Sequence, residues 1–213
     1  MNIDTLYLIA GCIVAYLLGS ISTSVWIGRI FYGIDVRKQG SGNAGATNTI
    51  RVLGWKAGVA VLLIDVLKAW VAVQSAPLFA SGTLNGEPLV NYRIILGALA
   101  VIGHVFPLYT GFKGGKGVAS LVGVVIALFP YAFLAIFVWF VIVFLLFRYV
   151  SLASITSAIL FPLLVAFVFH EQSVSLLVLS ILIAVFVPMT HQKNIKRLLK
   201  GEELKMKFGK KTE

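Results

Sequence analysis

The heptapeptide GFKGGKG, residues 111–117, stands between apolar runs: YRIILGALAVIGHVFPL at 92–108 before it, then VASLVGVVIALF at 118–129 and YAFLAIFVWFVIVFLLF at 131–147. Runs of this kind read as membrane segments, since about 20 apolar residues cross a bilayer core. The heptapeptide between them is the opposite, with two lysines and four glycines. Packing gives no reason to put two positive charges on so flexible a backbone. An anion does: glycines let backbone N–H groups converge on an oxyanion while the ammonium groups neutralise it. The motif is not a P-loop, which needs four residues between its first glycine and Gly-Lys-Ser/Thr. Here Gly111 and Gly115 bracket three, and Gly117 follows Lys116. The plainer reading is a basic cytoplasmic loop that obeys the positive-inside rule.

Composition supports lipid as the main solvent. Of 213 residues 59% are apolar and 12% charged, against roughly 25% charged in a soluble domain; mean hydropathy is +0.97. The fold class expected is all-α, a polytopic integral membrane protein. Residues 1–4 have no basic n-region, and the apolar run after them is long enough to remain as a helix rather than be cleaved. Cys12, the single cysteine, lies within that run and has no intrachain partner.

Seven apolar segments emerge, at 3–31, 57–79, 92–108, 118–129, 131–147, 155–169 and 174–189. The fourth is short, about 18 Å at 1.5 Å per residue, so its helix is expected to start inside the glycine loop or to be re-entrant. Five full spans with a re-entrant pair is the rival topology. Seven alternating spans put every Lys and Arg on or beside one face except Lys68 and Arg93. The positive-inside rule makes that face cytoplasmic, with the N-terminus outside and the C-terminus inside. An even number of spans would split the basic regions. The chain reads as one membrane-embedded domain, 1–213, with 190–213 a basic cytoplasmic tail facing anionic headgroups. The net charge of +10 is therefore juxtamembrane, which excludes nucleic acid as the partner.

Four polar stretches share the cytoplasmic face. In residues 41–51, SGNAGATNTIR, six of eleven side chains can hydrogen-bond: Ser41, Asn43, Thr47, Asn48, Thr49 and Arg51. If Thr47 opens a helix, Arg51 returns to the same ligand, and arginine holds phosphate by a two-pronged contact. The bland alternative is a loop of turns. His104, in GHVFP at 103–107, reads as a structural residue before it reads as a base. Ser151 and Ser154 share a face if helical and can cap the helix or donate to an anion. His191 and Asn194 share a face in the same way, with a solvated tail as the alternative. In the second segment Asp65 and Lys68 are three apart and pair on one helix face. Gly19 and Ser20 point to close packing or a bend. Neither a cluster at metal-ligand spacing nor a nucleophile elbow is present, so no metal or cofactor is expected.

Residues 41–48 with Arg51, 103–117, and 191–197 resemble the three motifs of the PlsY family, bacterial acyl-phosphate:glycerol-3-phosphate acyltransferases. The likeness runs nearly the whole chain, including 148–154; Ala44 stands where a larger apolar residue is common. The resemblance implies seven transmembrane helices in the bacterial inner (plasma) membrane, with a site facing the cytoplasm. It implies transfer of an acyl group from acyl phosphate to the 1-hydroxyl of glycerol 3-phosphate, giving lysophosphatidic acid. It places phosphate binding on Ser41, Arg51, Lys116, Ser154, His191 and Asn194, with Ser41, Arg51 and Lys116 as the catalytic set. Asn43, Thr47, Asn48, Lys113, Gly114, Gly115, Gly117 and Ser151 complete the substrate-binding set. The His-x4-Asp pair of other glycerolipid acyltransferases is missing, leaving almost no protein base, so catalysis is expected to be substrate-assisted. An anion transporter is the rival class, but transporters place their sites near the midplane.

Overall fold

The computed structural model describes residues 2–206, and every regular element among them is helical. In chain order these are α1 Ile3–Ser20, α2 Thr23–Tyr32, α3 Ala46–Leu53, α4 Trp55–Gln74, α5 Ala76–Ala80, α6 Glu87–Val105, α7 Val118–Leu128, α8 Pro130–Phe147, α9 Val150–Leu163, α10 Val174–Thr190 and α11 Gln192–Leu199. Among the described residues five helical runs are long and apolar enough to cross a membrane, and α10 with α11, bent by 64°, makes a sixth if taken as one span. The remaining apolar helix, α7, has 11 residues, a rise of about 17 Å against a core of about 30 Å. The chain divides into two compact units, Met1–Pro130 and Tyr131–Glu213. Lys207, Lys210 and Lys211 of the expected basic tail lie outside the described residues.

In the first unit the apolar segment 3–31, expected as one helix, is two, broken at Ile21 and Ser22. The cause is close packing followed by a freed backbone. A Cβ on Gly19 would overlap the carbonyl of Ala100, and one on Gly103 that of Tyr16, so α1 and α6 meet backbone to backbone. Beyond this contact the Ile21 carbonyl leaves the helix and accepts from Lys68 Nζ at 2.7 Å. A broken helix at membrane depth is tolerated when the protein itself satisfies the released groups. Thr23, opening α2, donates to Asp65 Oδ1 at 2.9 Å, tying the break to α4. Gly123 does the same for α7, since a Cβ there would overlap the Val66 carbonyl of α4.

α7 does not begin inside the glycine loop. Its first residue is Val118, preceded by Gly117 in the left-handed conformation at φ 82°. The N–H groups of Gly114 and Gly115 donate to the carbonyls of Val105 and His104, at 3.1 and 3.2 Å. Those residues therefore extend the C-terminal end of α6 and are committed there before a helix can start.

In the second unit α9 begins at Val150, earlier than the apolar run suggested, because the small polar residues Ser151 and Ser154 are tolerated in its first turns. Pro162 lacks the N–H that an α-helix interior needs, and a π-turn at Leu164–Val168 follows it. Trp139 Nε1 of α8 donates to Thr156 of α9 at 3.3 Å. After α11 the chain returns as an extended strap. Met206 N–H donates to the Arg148 carbonyl at 2.9 Å, and the Lys205 ammonium lies 5.4 Å from the centre of the Tyr149 ring.

Candidate active site

The loop 41–51 is built from behind by Asp35, Arg37 and Asn48. Asp35 accepts the Arg37 N–H and caps the turn Val36–Lys38, while its two oxygens take the Arg37 guanidinium as a fork, at 3.0 and 2.8 Å. The Arg37 hydrogen bond is the main reason the Asp35 carboxyl lies well below the usual carboxylate range; burial opposes it and Arg29, 2.8 Å away, assists. With one edge on Asp35, Arg37 directs Nη1 to the carbonyls of Thr110 and Lys113, at 3.0 and 3.1 Å. Asn48 is fully buried and faces its own loop: Oδ1 accepts from Ser41 N–H at 2.8 Å, and Nδ2 donates to the carbonyls of Val36 and Gln39. Helix α3 then opens at Ala46, with Thr47 in its first turn and the half-buried Arg51 in its last. Gly58 of α4 receives α3 closely enough that a Cβ would overlap Ile50.

The glycine loop meets this loop directly. A Cβ on Gly115 would sit 2.8 Å from the Ala44 carbonyl and overlap His104 Nε2; one on Gly114 would overlap the His104 carbonyl. Glycine is thus required at both positions for close approach. Their N–H groups, expected to converge on an anion, are turned onto the end of α6. Lys113 is exposed and Lys116 half-buried.

Beneath the loop lies a buried polar node that joins four elements. Lys68 Nζ pairs with Asp65 Oδ1 at 2.7 Å, donates to the Ile21 carbonyl, and approaches His104 Nδ1 at 3.2 Å. The expected Asp65–Lys68 pair exists, but Thr23, Ile21 and His104 complete it. Paired charges at membrane depth are kept when hydrogen bonds satisfy the rest of each group.

In the second unit Ser151, Asn194 and Arg197 converge on Glu203. Ser151 Oγ and Asn194 Nδ2 both donate to Oε1, at 2.8 and 2.6 Å, and Arg197 Nε donates to Oε2 at 2.8 Å. Burial alone would raise the Glu203 carboxyl; hydrogen bonds from Asn194, Ser151 and Arg197 and the Arg197 charge outweigh it and hold it below its ordinary value. Ser154 Oγ donates back to the Val150 carbonyl at 2.9 Å. His191 directs Nδ1 to the Val187 carbonyl at 2.8 Å, so that nitrogen carries a proton, since a carbonyl only accepts. Among the described residues no three His, Cys, Asp or Glu side chains group at metal-binding distance.

Residues 9–201 match the family model described as glycerol-3-phosphate acyltransferase. A glycerol-3-phosphate acyltransferase of Fusobacterium nucleatum is 46% identical, covering 92% of this chain and 96% of its own. One from Chlorobium phaeobacteroides is 40% identical over 96% and 99% of the two chains. The chain belongs to this acyltransferase family. Two crystal structures of PlsY, an integral membrane glycerol 3-phosphate acyltransferase, share the fold at 40% identity. Its glycerol 3-phosphate form superposes with a TM-score of 0.83 over 94% of this chain and 96% of that one. The lysophosphatidic acid form gives 0.81.

Within the first unit of this acyltransferase-family chain, the fold brings the 41–51 stretch against the glycine loop, through Ala44 with Gly115, and Arg37 ties the preceding turn to Lys113. Within the second, it joins Ser151 to Asn194 through Glu203. The sequence reading did not single out Arg37, one of several basic residues near the loops, or Glu203, which lies in the stretch read as a basic tail. Their only sequence signals were negative and weak: Asp35 and Glu203 are acids in otherwise basic stretches.

Proposed function

We propose that the chain transfers a fatty acyl group from acyl phosphate to the 1-hydroxyl of glycerol 3-phosphate, releasing lysophosphatidic acid and phosphate at the start of phospholipid synthesis. The observation that carries this reading is the seating of Gly115 against the Ala44 carbonyl, which places the Ser41–Arg51 loop beside the cationic glycine loop. In this reading Arg51 and Lys116 neutralise phosphate, and Ser41, Asn43 and Thr47 orient it. Lys113 adds a more exposed charge at the entrance. Gly114, Gly115 and Gly117 act by permitting close approach, and Asn48 by shaping the loop. In the second unit we assign Ser154 and His191 to phosphate, with Ser151 and Asn194 held in place by Glu203.

The reaction needs position and positive charge. The glycerol hydroxyl oxygen attacks the acyl carbon, the bond from that carbon to the phosphate oxygen breaks, and phosphate departs with the electron pair. Arg51 and Lys116 stabilise the charge that develops on these oxygens. The hydroxyl proton passes to a substrate phosphate oxygen, whose second pKa is about 6; we read the mechanism as substrate-assisted. His191, its ring held by Nδ1–H on the Val187 carbonyl, is the hydrogen-bonding partner of phosphate in this reading. We read α1, α4, α6, α7, α8, α9 and α10 as seven spans of a bacterial plasma-membrane protein, the N-terminus outside and the loops cytoplasmic.

Purified protein with labelled glycerol 3-phosphate should form lysophosphatidic acid from palmitoyl phosphate and should not do so from palmitoyl-CoA or a carrier-bound chain. Turnover should persist in chelator. Equal use of the thioester donors, or loss of activity in chelator, would end this reading of the donor and site.

A further inference from the structure

We propose that His104 is a hydrogen-bond donor of the phosphate site, its Nε2–H turned toward the glycine loop by the buried Asp65–Lys68 pair. This rests on the reading of that loop as the phosphate-binding element.

The tautomer follows from counting protons on Lys68. An ammonium has three N–H donors, and three acceptors surround this one: the Ile21 carbonyl at 2.7 Å, Asp65 Oδ1 at 2.7 Å and His104 Nδ1 at 3.2 Å. The third acceptor role requires a bare Nδ1. Asp65 Oδ1 is the farther neighbour of that nitrogen, at 3.6 Å, beyond hydrogen-bond length, and already receives Lys68 and Thr23. A proton on Nδ1 would face the ammonium directly. The imidazole is therefore neutral, with its hydrogen on Nε2.

That hydrogen has nowhere to go within the protein. The His104 side chain is only 6% exposed, and among the described residues no group accepts from Nε2. It lies against Gly115, where any side chain would overlap it. With no protein acceptor for Nε2–H, an arriving oxyanion supplies one, and hydrogen bonds to charged groups are the stronger kind. Glycine at 115 lets this edge of the ring seat directly against the backbone of the glycine loop. The same geometry removes His104 as a general base, because its outward nitrogen already holds a proton. The ligand class is a phosphate oxyanion: free phosphate, glycerol 3-phosphate or the acyl-phosphate head share this chemistry.

Histidine-selective nitrogen-15 spectra of the full-length protein in micelles test this directly, with His104→Gln assigning the resonance among the three histidines. Expected is a neutral ring with Nε2 protonated and Nδ1 bare, whose Nε2–H signal moves on titration with inorganic phosphate or glycerol 3-phosphate. Movement with glycerol 3-phosphate alone identifies the esterified substrate as the source; movement with both identifies the phosphate group. Lys68→Met should release Nδ1 and populate the other tautomer. In kinetics His104→Gln, whose amide nitrogen reaches the Nε2 position, should stay within about tenfold of wild type, while His104→Leu should lose roughly ten- to a hundredfold, the rate equivalent of one hydrogen bond to a charged group. A ring protonated on both nitrogens or on Nδ1, or an Nε2–H indifferent to both phosphates, overturns the proposal even if His104→Leu fails to fold. Should phosphate move Nε2–H in a protein that forms no lysophosphatidic acid, the enzymatic reading falls and His104 stands as a phosphate donor. An active enzyme with an indifferent Nε2–H gives the reverse.

Discussion

The Arg37 guanidinium donates to the Lys113 carbonyl across 3.1 Å, so the turn before the first polar loop clasps the glycine loop. Asp35 holds the other edge of the same guanidinium. Arg37→Ala should cut kcat/KM by about tenfold or more, one charge-assisted hydrogen bond being worth about 1.5–3 kcal/mol. Arg37→Lys should not restore it, because a point charge cannot bond Asp35 and two carbonyls in one plane. Wild-type kinetics in both variants would show that the clasp does not position the site.

Arg51→Ala and Lys116→Ala should each lose one to two orders of magnitude in turnover if the contact is wholly expressed in the transition state, with insertion and folding preserved. Lys116→Arg should also be poor, since a planar fork does not fit between Gly115 and Gly117 as a compact ammonium does. The check is steady-state kinetics with saturation in both substrates. Near-normal values in the two alanine variants remove these residues from the site.

Gly115→Ala should be far more damaging than Gly33→Ala. A methyl at 115 overlaps His104 Nε2 and crowds the Ala44 carbonyl, whereas nothing lies within 4 Å of a methyl at 33. Gly33→Ala still meets the left-handed φ of 65°, a cost of roughly 1–2 kcal/mol, and should reduce melting temperature while sparing kcat. Comparable activity in the two variants would contradict the close seating of the loops.

Glu203→Gln should weaken the second unit by on the order of 2 kcal/mol, the scale of hydrogen bonds to a charged group. The sign of its pH dependence is definite. The folded carboxyl titrates below its ordinary value, so its stabilisation is complete above the unfolded value of about 4.3 and is lost as pH falls through the folded one. Wild-type melting temperature should therefore drop through that acid range more steeply than that of the glutamine variant. Parallel acid limbs would mean that the carboxylate contributes nothing through its charge.

Much of this protein is settled along the chain itself. Apolar runs such as 131–147 become helices because, in lipid, a segment of that length must satisfy its own backbone hydrogen bonds. Residues 41–51 and 111–117 stand out because glycine and polar side chains have no packing role between such runs. Asp65 and Lys68 pair because a helix brings positions three apart together. Tertiary structure alone decided the rest. Where segment 3–31 breaks depends on Lys68, 47 residues away, waiting for the Ile21 carbonyl. Which way the amides of Gly114 and Gly115 face depends on the end of α6, whose carbonyls take them. Glu203 became a hub because Ser151, 52 positions earlier, and Asn194 are presented to one oxygen. Periodicity and composition report what each residue needs from its surroundings, a solvent, a charge or a partner; which distant group meets that need is set by packing, and no local pattern encodes it.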